Sequence, residues 1–152
     1  MNISTFEETN PVSLLWEFKW LTPKTLAKAL GVSPGAVSHW VCGQRTPCNT
    51  IKRLTSELHQ QLQKWSGPHF LFSFSTEKIN PLELLKKYPN LSRAALAEAL
   101  GVEVDTVNRW ACSIQNPSRP TQRLAWELDK KWSAVVQGHS LIENQKPEKQ
   151  IA

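Results

Sequence analysis

Thr22-Pro23-Lys24-Thr25-Leu26-Ala27-Lys28-Ala29-Leu30-Gly31-Val32-Ser33-Pro34-Gly35-Ala36-Val37-Ser38-His39-Trp40 decides the fold. Leu26, Ala27 and Leu30 recur at helical spacing behind Thr22, a capping residue, so a helix ends at Gly31. Glycine suits that point because the chain must pass through a left-handed conformation there. Ser33 then caps a second helix with Pro34 at its first position, where a missing N–H costs nothing. Val37 and Trp40 point this helix back at a core. Two helices meeting at a steep angle need a glycine corner and small residues where they cross, which Gly31, Ala27 and Ala29 supply.

Working outward, the stretch occurs twice. At an offset of 70 positions, Leu26-Ala27-Lys28-Ala29-Leu30-Gly31-Val32 falls on Leu96-Ala97-Glu98-Ala99-Leu100-Gly101-Val102. Asn10-Pro11 meets Asn80-Pro81, Leu14-Leu15 meets Leu84-Leu85, and Leu21 meets Leu91. Val37, Trp40, Cys42, Pro47, Arg53, Leu54, Glu57 and Leu58 meet Val107, Trp110, Cys112, Pro117, Arg123, Leu124, Glu127 and Leu128, with no gap. Duplication explains agreement on this scale.

Each copy reads as four helices, so the expected class is all-α, two tandem bundles joined by a short aromatic linker. Asn10 and Asn80 cap the first helices, which end near Trp20 and near Tyr88-Pro89. Ser92 caps the second helix of the second copy, and Glu103 or Asp105 complements the dipole of the third. The fourth helices are expected over about Thr50–Trp65 and Thr121–Val136. The units are residues 1–66 and 80–136, with a linker at 67–79 and a polar, frayed tail at 137–152. Within the linker Phe70, Phe72 and Phe74 alternate, as in an extended segment with one buried face. The remaining tryptophans, Trp16, Trp20, Trp65, Trp126 and Trp132, are expected to fill contacts between helices, with a partner surface as the alternative for some of them.

The pattern of polar cap, Leu-Ala, Leu-Gly-Val-Ser, β-branched residue, Trp and a glycine loop ending in Pro47 resembles the lambda-repressor/Cro-like, or XRE-family, helix-turn-helix proteins. The resemblance covers both copies and is closer in the first. The second departs at Ser113, where the first has Gly43, and at Gln115, where the first has Arg45. It implies that the third helix of each unit enters the DNA major groove. The implied groove-facing residues are Ser33, Pro34, Gly35, Ser38 and His39 in the first copy. In the second they are Glu103, Val104, Asp105, Thr106, Asn108 and Arg109. Lys24, Gln44, Arg45 and Thr46, with Arg93, Gln115 and Asn116, match positions that touch phosphates. Pro34-Gly35 carries little side chain to read bases. Arg109 suits guanine, Asn108 adenine, and Glu103 or Asp105 cytosine. The first unit is therefore expected to position and the second to discriminate.

Composition permits this reading. The chain of 152 residues carries a net charge of +5, and seven cations face two acids between Asn10 and Ser66. A basic surface of this kind suits a polyanion. Three cysteines, Cys42, Cys48 and Cys112, are too few and odd in number for a disulfide scaffold. They indicate a reducing compartment, hence the cytoplasm. No apolar run is long enough to cross a bilayer, and no secretion signal opens the chain. No cysteine–histidine set has zinc-ligand spacing, and no acid/base, nucleophile or phosphate-loop constellation marks an enzyme. No cofactor, small-molecule ligand or membrane partner is expected. The expected partner is double-stranded DNA, with the chain a bacterial or phage transcriptional regulator acting as a pseudo-dimer. The alternative is a protein-binding adaptor in a nucleoprotein assembly, with self-association or another protein as partner.

Overall fold

Three short helices and a long one, then three short helices and a longer one, make up the computed structural model. It describes residues 7–151, with side chains through Gln137. They are α1 (Pro11–Glu17), α2 (Pro23–Leu30), α3 (Pro34–Val41), α4 (Asn49–Lys64), α5 (Leu82–Lys87), α6 (Arg93–Leu100), α7 (Val104–Ala111) and α8 (Arg119–Ile151), with a 3-10 turn at His69–Leu71. The fold is all-α. Among the described residues no helix is long and apolar enough to cross a membrane.

Local chemistry sets most boundaries. Asn10 Oδ1 accepts from Val12 N–H and Asn80 Oδ1 from Leu82 N–H, each at 3.0 Å. Thr22, Ser33 and Ser92 hydroxyls accept from the third residue beyond them. Such caps satisfy amides that the helix itself leaves unpaired. Gly31 (φ 76°) and Gly101 (φ 73°) end α2 and α6. The N–H of Val32 donates to Ala27 C=O and that of Val102 to Ala97 C=O, both at 3.0 Å, which closes each end in a Schellman turn. The duplication extends to isolated contacts. Thr9 N–H donates to Lys52 C=O at 3.0 Å, and Ile79 N–H, 70 positions on, donates to Gln122 C=O at 3.2 Å.

Several expectations need correction. The first helix ends at Glu17, three residues before Trp20, because Phe18 leaves helical geometry and Leu21 N–H folds back onto Phe18 C=O. The last helix does not stop at Val136 but continues to Ile151. The frayed tail expected at 137–152 falls, beyond Gln137, on residues whose side chains lie outside the described part. Phe70 sits on the 3-10 turn and is 81% exposed, so the alternation buries only Phe72 and Phe74. Trp16 is 73% exposed and fills no helix contact.

The buried side chains form one cluster that takes residues from both copies, including Leu14, Leu54 and Leu58 with Leu84, Leu124 and Leu128. The halves interlock reciprocally. A Cβ on Gly31 would meet Arg119 Cβ at 3.1 Å, and a Cβ on Gly101 would meet Asn49 Cβ at 3.1 Å. Each glycine corner is thus seated on the start of the other copy's long helix. Thr50 Oγ1 donates to Leu100 C=O at 2.7 Å, Arg53 donates to Glu98 C=O, and Arg123 Nε donates to Ala29 C=O at 2.7 Å. Patch meets patch both ways, the pattern of a two-fold interface.

Arg123 is the largest fully buried side chain. Besides Ala29 C=O it donates to Glu77 C=O and pairs with Glu127 at 3.1 Å, where Gln61 Nε2 adds a bond of 2.6 Å to the carboxylate. A buried pair is costly to break because one charge is left uncompensated. Arg123→Ala should therefore destabilise the fold by about 3–5 kcal/mol, and the double change Arg123→Met with Glu127→Leu by clearly less. Urea denaturation monitored by tryptophan fluorescence checks this, and a double change as damaging as the single one would refute it.

Candidate nucleic-acid interface

The outward side of α3 follows from its apolar anchors. Val37 is fully buried and Trp40 packs on the core, which leaves Ser33, Pro34, Gly35 and Ser38 exposed. His39 is half-buried, and its Nδ1 finds no hydrogen-bond partner among the described residues. In α7, Val107 and Trp110 take the anchoring positions. Glu103, Val104, Asp105 and Arg109 are exposed, while Thr106 and Asn108 are half-buried. Arg93 Nη1 donates to Asn108 Oδ1 at 2.9 Å, so the first residue of α6 orients a side chain on α7. Sequence offers the two as separate site residues; the fold joins them.

Lys24, at the start of α2, and Gln44, Arg45 and Thr46, in the loop after α3, are all exposed, as are Arg93, Gln115 and Asn116. The loop takes the same path in both copies. Gln44 N–H donates to His39 C=O and Ile114 N–H to Arg109 C=O, each at 2.9 Å. Gly43 has φ 75°, and Ser113 adopts the same left-handed conformation at φ 61°. Replacement of glycine has therefore changed the strain and not the shape. What differs is chemistry: Ile114, 75% exposed, stands where Gln44 stands in the first copy, and Gln115 where Arg45 stands.

The fold adds cations that linear reading missed. A cleft of about 350 Å³ at the foot of α3 is lined by Lys24, Lys28, Lys78 and Arg119, together with Gly31, Pro34 and the buried Arg123. The four outer cations are exposed, and among the described residues no carboxylate lines the cleft. Lys28 was within reach of a helical-wheel argument, being four residues from Lys24 on one face. Lys78 comes from the end of the linker and Arg119 from the second copy, and neither has a signal in one repeat alone. At the offset of 70 the corresponding positions are Ala94, Glu98, Glu8 and Asn49. The corner of one copy is cationic and the corner of the other is not.

The start of α3 opens on this cleft through Pro34. A helix N-terminus carries partial positive charge and free N–H groups, which add to the field of the lysines. On α7 the same end carries Glu103 and Asp105, with Arg109 in the last turn.

An L residue in the left-handed region costs about 1–2 kcal/mol, of which glycine's extra freedom in the unfolded chain cancels roughly half. Ser113→Gly should thus raise stability by up to about 1 kcal/mol, and Gly43→Ser should lower it by a similar amount. Denaturation midpoints that move the same way in both variants would contradict this account of the loop. No protein-family model, curated protein or solved structure matches the chain.

Proposed function

We propose that the chain is a sequence-selective double-stranded DNA-binding protein. In this reading its two copies are lambda-repressor/Cro-like helix-turn-helix units acting as a pseudo-dimer, and the protein is a cytoplasmic transcriptional regulator of bacterial or phage type. The observation that carries the proposal is the cluster of Lys24, Lys28, Lys78 and Arg119 at the foot of α3, with no carboxylate among the described residues that line it. Four exposed cations around one helix start suit successive phosphates better than a neutral or cationic ligand.

The division of labour follows from the two faces. α3 presents Ser33, Gly35 and Ser38, side chains too small to reach far, beside the cationic cleft, so its part is to fix the duplex. α7 presents Arg109 and an Asn108 whose amide is oriented by Arg93. Arg93 uses one lone pair of Oδ1, and the second lone pair and the amide N–H remain for the two bonds of adenine recognition. Glu103 and Asp105 keep phosphates away from that end of α7 and are suited to cytosine N4–H.

The test is selection of duplexes from a random pool, followed by titration of the selected site at several salt concentrations. Affinity should fall with salt at a logarithmic slope of about −3.6 or steeper, since each phosphate neutralised contributes about −0.9. Lys28→Ala and Arg119→Ala should each reduce that slope by about one and weaken all sequences alike. Arg109→Ala should instead cost about 1–3 kcal/mol at one base pair and relax preference there. Binding that ignores salt, or equal sequence-blind losses from all three variants, would refute the assignment.

A further inference from the structure

Reciprocal seating makes the backbone nearly self-superposable by a half-turn. Gly31 rests on the start of α8 and Gly101 on the start of α4, and the loops after α3 and α7 follow one path. Such a half-turn exchanges α3 with α7. The sugar–phosphate frame of a duplex has the same property, because its antiparallel strands are related by dyads. Backbone shape alone therefore admits two opposite orientations of this chain on DNA. Only side chains can choose between them.

The side chains that the half-turn exchanges are unlike in three places. At the foot of the third helix, Lys24, Lys28, Lys78 and Arg119 change places with Ala94, Glu98, Glu8 and Asn49. Four exposed cations at one corner thus answer to two exposed carboxylates at the other, where Glu8 lies on Arg53 at 3.4 Å. On the outward face, Ser38 and His39 change places with Asn108 and Arg109. Arg93 holds Asn108, whereas Pro23 stands in Arg93's place in the first copy and offers Ser38 no donor. In the loop that follows, Gln44 and Arg45 change places with Ile114 and Gln115. All three differences point the same way. The charge that holds phosphates belongs to the first corner, and the planar groups that match base edges belong to α7.

The two kinds of contact have different consequences. A phosphate backbone is alike for every sequence, so the cations hold one end of a site without selecting it. Arg109 and Asn108 do select. Turning the chain round would set Ser38 and His39 against the bases chosen by Asn108 and Arg109. It would also bring Glu8 and Glu98 towards phosphates that the four cations had held, and like charges repel.

We propose, resting on the DNA-binding reading above, that the chain recognises a non-palindromic duplex site with two unlike ends and binds it in one orientation. One end is gripped through phosphates by the corner of α2 and α3 and tolerates sequence change. The other is read through base edges by α7. The bound protein thus marks a direction along the duplex.

Cys42 and Cys112 are exposed and lie at the C-terminal ends of α3 and α7, so each can carry an iron chelate that cuts nearby DNA. Two full-length chains serve, one with Cys48→Ser and Cys112→Ser, the other with Cys48→Ser and Cys42→Ser. On a duplex selected from a random pool, each reagent should cut one end of the site, and the two should cut opposite ends. The preference should be about tenfold or more, because reversal forfeits two base contacts. Phosphate ethylation should interfere chiefly at the Cys42 end. Independently of any label, the selected sequence should differ from its own reverse complement. A site rebuilt as a palindrome of the Cys112 end should be cut at both ends by either reagent. Salt-sensitive binding with equal cutting at both ends of the selected site, or a palindromic selected sequence, overturns the single orientation and leaves the DNA-binding reading standing. Absence of salt-sensitive binding removes that reading and this inference with it.

Discussion

The buried guanidinium of Arg123 is the point at which the two copies become one molecule. It donates to the carbonyl of Ala29 at the end of α2, to the carbonyl of Glu77 just before the second copy, and to Glu127 one turn along its own helix. A buried charge is tolerated only when its donors are matched. Satisfying this one fixes α8 against α2 and brings the incoming chain to both. The glycine corners can then seat on the opposite long helices, and the leucines of both copies merge into one cluster. Arg53, its counterpart, bonds Glu8 and the carbonyl of Glu98 from a more exposed site. The duplicated skeleton is thus held by two versions of one polar clasp, one buried and one at the surface.

Around that skeleton the copies have diverged in surface chemistry and hardly at all in backbone. The corner at α2 and α3 gathers Lys24, Lys28, Lys78 and Arg119, and the equivalent positions hold Ala94, Glu98, Glu8 and Asn49. A symmetric dimer of identical chains has no means of making such differences, because any substitution appears on both sides. Joining the copies in one chain removes that restriction.

Much of the fold could be read from the residues alone. Caps, glycine corners and helical spacing located the helices of both copies because these are local effects, decided within a turn or two of chain. Ser113 copied the path of Gly43 for the same reason: the hydrogen bonds that close the turn involve backbone, and a modest strain does not break them. What sequence did not reveal depends on contact between the copies. Lys78 and Arg119 join Lys24 only because Gly31 seats against α8. Trp16 and Phe70 were misplaced because apolar character is no guarantee of a neighbour to pack on. The Arg93–Asn108 bond needed the angle between α6 and α7, which spacing alone does not supply.

The seating of Gly31 and Gly101 on opposite helix starts has a mechanical consequence. There is no room at either corner for a methyl group without displacing Arg119 or Asn49, so the two bihelical corners cannot swivel independently. If both contact one duplex, they act as a rigid caliper with a fixed jaw. Each base pair inserted between two sites turns them by about 34–36° about the helix axis, and a caliper of this kind would sense that turn where a hinged pair would absorb it.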